Sequence, residues 1–585
     1  MTNDNPQTAE EYITRAKNFH KAEDYDAAIA DYNESIRLEP NNAEIWNSRG
    51  VAWSEKGDKD KAIADYSEAI RLDPSDVWFW YNRGNAWEYK DDIDKAIADY
   101  TEAIRLKPDE TYFLLKRAFL WRYSKKEYDK AIKDYTEAIR LKPNEADFWW
   151  YRGHVWEYKG EYDKAIKDYT EAIRLAPDNA EIWDIRANAW EYKDDLDKAI
   201  NDYTEAIRLK PDEYTFWKRR AGAWKRKGEY DKAIADFDEA IRIKPGFDGL
   251  LGRSFVWHDK GEYDKAIDDC NEIIRLIPNC VQDVWQWRGN LWALKGEWDN
   301  AIDDYNEALR ITSDSFSGRI LFDRGNAWVR KNEPDKAIAD YNEVIRLNPN
   351  FVSAWGNRGI AWRNKDEYDK AINDFDEAIR LDPKLALGWY HRGIAWDGKG
   401  EKDKAIKDLN ESILLDPNYA PSWNMRGNIW RSKCEWDKAI SDYTQVIRIN
   451  PDNAEMWKDR GILWWLERKY DKAISDLNEA IRLEPKNASF LEDRGNIWSS
   501  KGDFLAQKAL NKELDKAIAD YSKAIRLDPD NASFWERRGK SWHEKGEFKK
   551  AIADYDVALR LDTDNASNVS YDRSLAISGE YPEDK

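Results

Sequence analysis

The sequence predicts an all-α fold, a tandem array of sixteen helix pairs, and three observations carry that expectation. Prolines punctuate the chain, mostly 34 residues apart, at Pro40, Pro74, Pro108, Pro143, Pro177 and onward to Pro529. A period of that length is the mark of stacked supersecondary units. Between prolines, apolar residues follow helical spacing in two successive runs, separated in many intervals by a glycine that can end a helix. Finally, 32 Trp, 31 Tyr and 17 Phe supply the apolar surface that lets a chain with 36% charged residues fold.

The second interval shows the physics. Residues 43–56 predict a helix A with Trp46, Gly50 and Trp53 on one stripe, and Gly57 stops it. Helix B follows, with Ala62, Tyr66 and Ala69 on one stripe and Ile63 and Ile70 beside it. Asp60 lies in its first turn, where the helix dipole favours an anion, and Pro74 prevents continuation. Glycine inside a helix costs about 1 kcal/mol. The recurrence of Gly, Ala or Ser at the place of Gly50 therefore predicts a close approach of helix B. Two further unit ends lack the proline, at Thr312 and Thr563.

Trp46, Gly50, Trp53, Ala62, Tyr66, Ala69 and Pro74, with the same spacing down residues 9–564, resemble the tetratricopeptide-repeat (TPR) family. The resemblance implies antiparallel helix pairs stacked into a right-handed α-solenoid, or superhelix. Helix A would line a concave groove that takes peptides or other proteins. The expected organisation is a polar N-terminal tail (1–8), one continuous array of sixteen repeats (9–564), a C-terminal capping helix (565–579) and a tail (580–585). The fifteenth repeat carries an insertion at about 504–513, where Leu505, Ala509, Leu510, Leu514 and Ile518 continue a helical stripe. Helix B of that repeat is expected to start about three turns early.

Register separates scaffold from candidate site. Fifteen tryptophans occupy the place of Trp53 and eleven that of Trp46, so these 26 of 32 are expected in the core between helices A and B. Arg stands in all sixteen repeats, from Arg15 and Arg49 to Arg538, where the family usually has Leu, and an Asp is equally constant in helix B. A planar guanidinium can pair bidentately with a carboxylate, so an ion-pair ladder is expected; the other reading leaves both groups in water.

The register that the resemblance assigns to the groove holds Trp78, Tyr81, Asn85 and Tyr89, then Tyr112, Phe119 and Tyr123, then Trp150, His154 and Tyr158. Further along it turns basic, with Lys218, Lys225 and Arg226. Rigid aromatics give large contact area at low entropy cost and serve as interface anchors. Asn85, Asn188, Asn290, Asn326, Asn428 and Asn496 share one place, where an amide could hold the main chain of an extended segment. The Lys–Asn–Arg set with which some TPR proteins clamp chaperone carboxylates is not met. Lys218 and Lys458 stand at suitable places, but Gly222 and Ile462 occupy the Asn site.

These residues predict a non-catalytic interaction scaffold for a partner protein or extended peptide of unknown identity, with no cofactor. The five histidines fall in separate repeats without metal-ligand spacing. A net charge of −20 opposes nucleic acid and anionic membrane. Three cysteines without a pairing pattern, a polar start and no long apolar run predict a cytoplasmic chain without membrane insertion. Two other readings stand beside this one: a helical-repeat nucleic-acid-binding protein, and an enzyme whose groove takes a small molecule.

Overall fold

A computed structural model describes residues 7–277, 282–312, 317–502, 507–562 and 566–580. All the regular structure among these residues is α-helical, in 33 helices paired as helix A–turn–helix B, with one odd helix last. The chain divides into two compact units, Met1–Lys295 and Gly296–Lys585. The first ends on helix A of the ninth repeat, Gln282–Leu294, and the second begins before helix B of that repeat, Trp298–Ile311.

In the first unit the second repeat consists of Ala43–Lys56 and Lys59–Leu72. The Asn42 side chain accepts from the Glu44 amide at 3.2 Å, and Asp58 accepts from the Lys61 amide at 3.1 Å, so both helices begin on a side-chain cap. Gly57, at φ +97°, closes helix A. Ala62, Ile63, Tyr66, Ala69 and Ile70 are buried. A Cβ on Gly50 would lie 2.7 Å from the Tyr66 ring, which is the close approach that the small residue predicted. Thr8, expected in the tail, instead caps the first helix, accepting from the Glu11 amide while Glu11 accepts from its own.

The tryptophans depart from the expectation of a tryptophan core. The core is built of Ala, Ile and Tyr, and the tryptophans wall it, half-buried. The Trp46 indole donates to the Pro40 carbonyl at 2.8 Å, while the Arg49 guanidinium lies 4.8 Å above its ring. Trp53 packs one face on the core and receives the Lys61 ammonium 4.2 Å above the ring. The same two arrangements recur in the second unit, at Trp355 with Pro349 and Arg358, and at Trp362 with Lys370. A ring this wide at the repeat surface is covered by the stems and heads of neighbouring cations rather than by a further apolar layer.

The ladder forms within repeats of both units. Arg83 donates from Nε and Nη2 to the two oxygens of Asp99, both at 2.8 Å, and Arg358 pairs likewise with Asp374 at 2.8 and 2.6 Å. Each of these Asp side chains is buried and its Arg mostly so. The third donor, Nη1, reaches helix B of the preceding repeat: Arg83 to Ser67 at 3.1 Å, Arg358 to Asn342 at 2.6 Å. One side chain thus joins the helices of its own repeat and stitches that repeat to its predecessor. A second, exposed row joins repeats through Lys: Lys90 to Asp60, Lys365 to Asp335.

In the fifteenth repeat helix B spans Gln507–Leu527, 21 residues against 14 in its neighbours. The described part is thus two turns longer than in its neighbours and carries Leu510 and Leu514, and the remainder of the three turns expected falls outside the described residues. Residues 503–506, including Leu505 of the expected stripe, lie outside the described residues. The odd helix, Ala566–Glu580, packs Val569 and Ala576 on the sixteenth repeat.

Candidate functional site

Helices A of the third, fourth and fifth repeats are Val77–Tyr89, Thr111–Tyr123 and Ala146–Tyr158, all in the first unit. Asp76 starts the first of them, accepting from the Trp78 amide at 2.8 Å. Helical register then places Trp78 and Tyr81 nearly one turn apart. The edge of Trp78 meets Tyr81 and Phe113, each 5.7 Å between ring centroids. Tyr81 in turn lies 5.2 Å from Tyr112, their hydroxyls 2.6 Å apart. Phe119 and Tyr123 sit together at 4.5 Å. Trp78, Tyr112, Phe119 and Tyr123 are each 42% to 49% exposed, so neighbouring helices present four large rings to solvent. Beside them opens a cleft of about 370 Å³, bounded by Tyr112, Leu115, Phe119, Arg122, Tyr123, Tyr135 and Tyr151, with Glu88 and Lys116.

Other expected site residues are placed differently. Tyr81 is half-buried; burial and the Tyr112 hydroxyl push its phenol up to about 12. Trp150 is half-buried against the cluster of Ala165, Ile166 and Tyr169, its indole N–H enclosed and without a partner. It is therefore not the exposed anchor expected from register. His154 lies edge-on to Trp150 at 4.9 Å, and burial together with the Arg122 charge lowers its pKa to about 4, so it is neutral at pH 7. Tyr89 and Tyr158 are well exposed, yet one face of each is taken. Lys59 lies 4.5 Å above Tyr89, and Tyr158 stacks on Tyr128 at 6.1 Å.

Four of the six asparagines spend their acceptor inside the repeat. The Tyr100 hydroxyl donates to Asn85 at 2.7 Å, and Tyr341, Tyr443 and Tyr521 do the same to Asn326, Asn428 and Asn496. Asn188 donates to Glu157 at 3.2 Å. The basic segment is already neutralised: Lys218 pairs with Asp248 and Lys225 with Asp259, each at 3.2 Å, and Arg226 with Glu191 and Asp194 at 3.0 and 2.8 Å. Sequence reasoning passed over two residues. Tyr192 is exposed and stacks on Tyr162 at 5.0 Å. Arg122 is buried at the cleft. The place of Arg122 varies between repeats, with Ser54, Glu88, Glu157 and Lys225, and is Arg again at Arg363 and Arg431.

Among the described residues no group of three or more His, Cys, Asp or Glu could hold a metal ion. No described helix is long and apolar enough to cross a membrane. Models described as tetratricopeptide repeat match residues 13–77, 77–110, 146–179, 186–246, 318–351, 352–385 and 435–488, and one described as TPR repeat matches 122–157 and 510–546. No curated protein matches the chain. Among solved structures, the Naa15/Naa10 complex bound to HypK-THB is 14% identical, covering 97% of this chain and 96% of that one at a TM-score of 0.34. Yeast Tom70 is 18% identical over 74% of this chain and 95% of its own, with a TM-score of 0.29. MamA is 23% identical over 29% and 92%, with a TM-score of 0.27.

Proposed function

Because the chain belongs to the tetratricopeptide-repeat family, whose members typically serve as protein–protein interaction scaffolds, we propose that it holds an extended segment of a partner protein across helices A of the third to fifth repeats. The observation that carries this reading is the exposed aromatic row of Trp78, Tyr112, Phe119 and Tyr123 beside an open cleft. Large apolar rings left in water by a folded chain mark an interaction surface, and rings already fixed by their neighbours lose little entropy on contact. Trp78 and Phe119 supply the main apolar contacts. The role is to hold a partner rather than to transform a substrate. Among the described residues Cys270 and Cys434 form no disulfide, which suits a cytoplasmic setting.

The test is selection of a displayed random-peptide library on the purified protein, followed by titration of the selected peptides. Phe119→Ala and Trp78→Ala should each weaken binding about tenfold or more and leave the thermal midpoint nearly unchanged. Selected peptides that bind both variants as tightly as the wild type would place the site elsewhere.

A further inference from the structure

Arg122 differs from the repeated arginines of this chain. The ladder arginines are buried against an aspartate each, as Arg117 is against Asp134 at 2.7 Å. Arg122 is more deeply buried, only 5% exposed, and no carboxylate pairs with it among the described residues. Its Nε–H is enclosed and without a hydrogen-bond partner. The groups that touch it are neutral: the rings of Tyr123 and Tyr158, with centroids 4.4 and 5.2 Å from the guanidinium carbon, the Tyr135 hydroxyl, and the imidazole of His154. Two carboxylates stand close by but are engaged by other groups, Glu88 at the same cleft by Tyr100 and Lys116, and Glu157 by Tyr169 and Asn188. Ring faces offset part of the cost of removing a cation from water, but they do not replace a counter-ion. The buried charge stands at the wall of the cleft, which Phe119 and Tyr151 also line, so that a side chain entering the cleft would meet it.

We propose that Arg122 receives the carboxylate of an acidic side chain of the partner segment, an Asp or Glu flanked by apolar or aromatic residues. This inference rests on the binding reading above and gives it a chemical preference. A guanidinium already stripped of water and flanked by rings need not be desolvated again when the carboxylate arrives, so the charge-assisted hydrogen bonds form at low cost. The flanking apolar residues would cover Phe119 and Tyr112, and the charge of Glu88 at the same cleft is offset by Lys116 at 3.6 Å. The selectivity is local, since the chain as a whole carries a net charge of −20.

The test uses two fluorescent peptides, acetylated and amidated so that the side chain carries the only carboxylate: Gly-Phe-Glu-Phe-Gly and the same peptide with Gln. Fluorescence anisotropy with the full chain should show the Glu peptide bound roughly tenfold tighter or more than the Gln peptide. Arg122→Gln should erase that preference, and Phe119→Ala should weaken both peptides. Equal binding of the two peptides, still lost in Phe119→Ala, would overturn the role of Arg122 and leave the aromatic surface standing. Binding of neither peptide would remove both. Arg122→Met should be at least as heat-stable as the wild type, because it deletes a buried charge without a counter-ion. A clear fall in its thermal midpoint would show that the guanidinium serves the fold, and would also overturn the assignment.

Discussion

Arg358→Leu, a change to the residue that the family usually carries at this place, removes one half of a buried ion pair and leaves Asp374 without its two donors at 2.8 and 2.6 Å. The side chains of Arg358 and Asp374 are 16% and 7% exposed, so the stranded carboxylate has little access to water. Breaking such a pair from one side costs about 3–5 kcal/mol. The Nη1 bond to Asn342 at 2.6 Å is lost as well, so the loosening should reach helix B of the preceding repeat, Pro334–Leu347. Native-state hydrogen exchange, read by mass spectrometry on peptides of these helices, should show protection reduced roughly 100-fold to 1,000-fold or more, at about 1.4 kcal/mol per decade. The control is Lys365→Ala in the exposed row. Its partner Asp335 is 78% exposed, and the loss there should stay below about 1 kcal/mol. Acidification gives an independent reading. Burial raises the Asp374 pKa and Arg358 pulls it back. A carboxyl whose folded pKa lies above its unfolded value holds its proton more tightly when folded, so its contribution is greatest at low pH and is lost as pH rises through the folded pKa. Without Arg358 that pKa rises further, and the deficit of Arg358→Leu should shrink as pH falls from 7 toward 4. A variant no less protected than Lys365→Ala, with a deficit independent of pH, would refute the account of the ladder.

His391 should give the opposite pH dependence. Burial and the neighbouring Arg363 lower its pKa to about 4, and Arg363 Nη1 donates to its Nδ1 at 3.2 Å, which requires that nitrogen to be unprotonated. The unfolded chain therefore binds more protons between about pH 6.5 and 4, and stability should fall by up to about 3 kcal/mol as pH drops through that window. His391→Gln should flatten the profile in urea titrations at pH 7 and 5; an unchanged slope would show that the imidazole titrates freely. Cys434, exposed at φ +59°, closes a helix A in left-handed backbone, where glycine serves at Gly57 and Gly160. Cys434→Gly should stabilise its repeat by about 1 kcal/mol, read as added exchange protection at the end of Ala420–Ser432. Equal or lower protection would mean that the turn carries no strain.

The sequence made the repeated features legible because each is a local rule applied many times. The small residue at Gly50 announced the Tyr66 ring, and the constancy of Arg and Asp announced their pairing. What register leaves open is which neighbour takes a polar atom once the helices are stacked. Asn85 sits at the expected place, but its oxygen is claimed by Tyr100, fifteen residues on. Trp78 and Trp150 lie on equivalent helices but three residues apart in register, and Trp150, at the place of Tyr81, is half-buried while Trp78 is open. Arg122 gave no distinct signal, because its place varies among Ser, Glu and Lys and holds Arg again at Arg363 and Arg431. Its meaning lay in a missing counter-ion, which only the assembled neighbourhood displays.

The reach of each ladder arginine into the repeat before it has a consequence for how such a chain changes length. Helix B always offers an acceptor at the same place, whether Ser67, Thr101, Asn342 or Asp376, and the next arginine accepts any of them. The exposed row repeats with an offset of its own, Lys365 to Asp335 and Lys399 to Asp369, each 30 residues apart. Excising residues 352–385 would bring Arg392 opposite Asn342 and Lys399 opposite Asp335, a junction made of the same chemistry as the two it replaces. The contacts between repeats therefore act as a common coupling that does not record which unit it joins. Duplication or loss of a whole repeat leaves no unmatched end, and the array can lengthen or shorten while the residues that distinguish one repeat from another stay where they are.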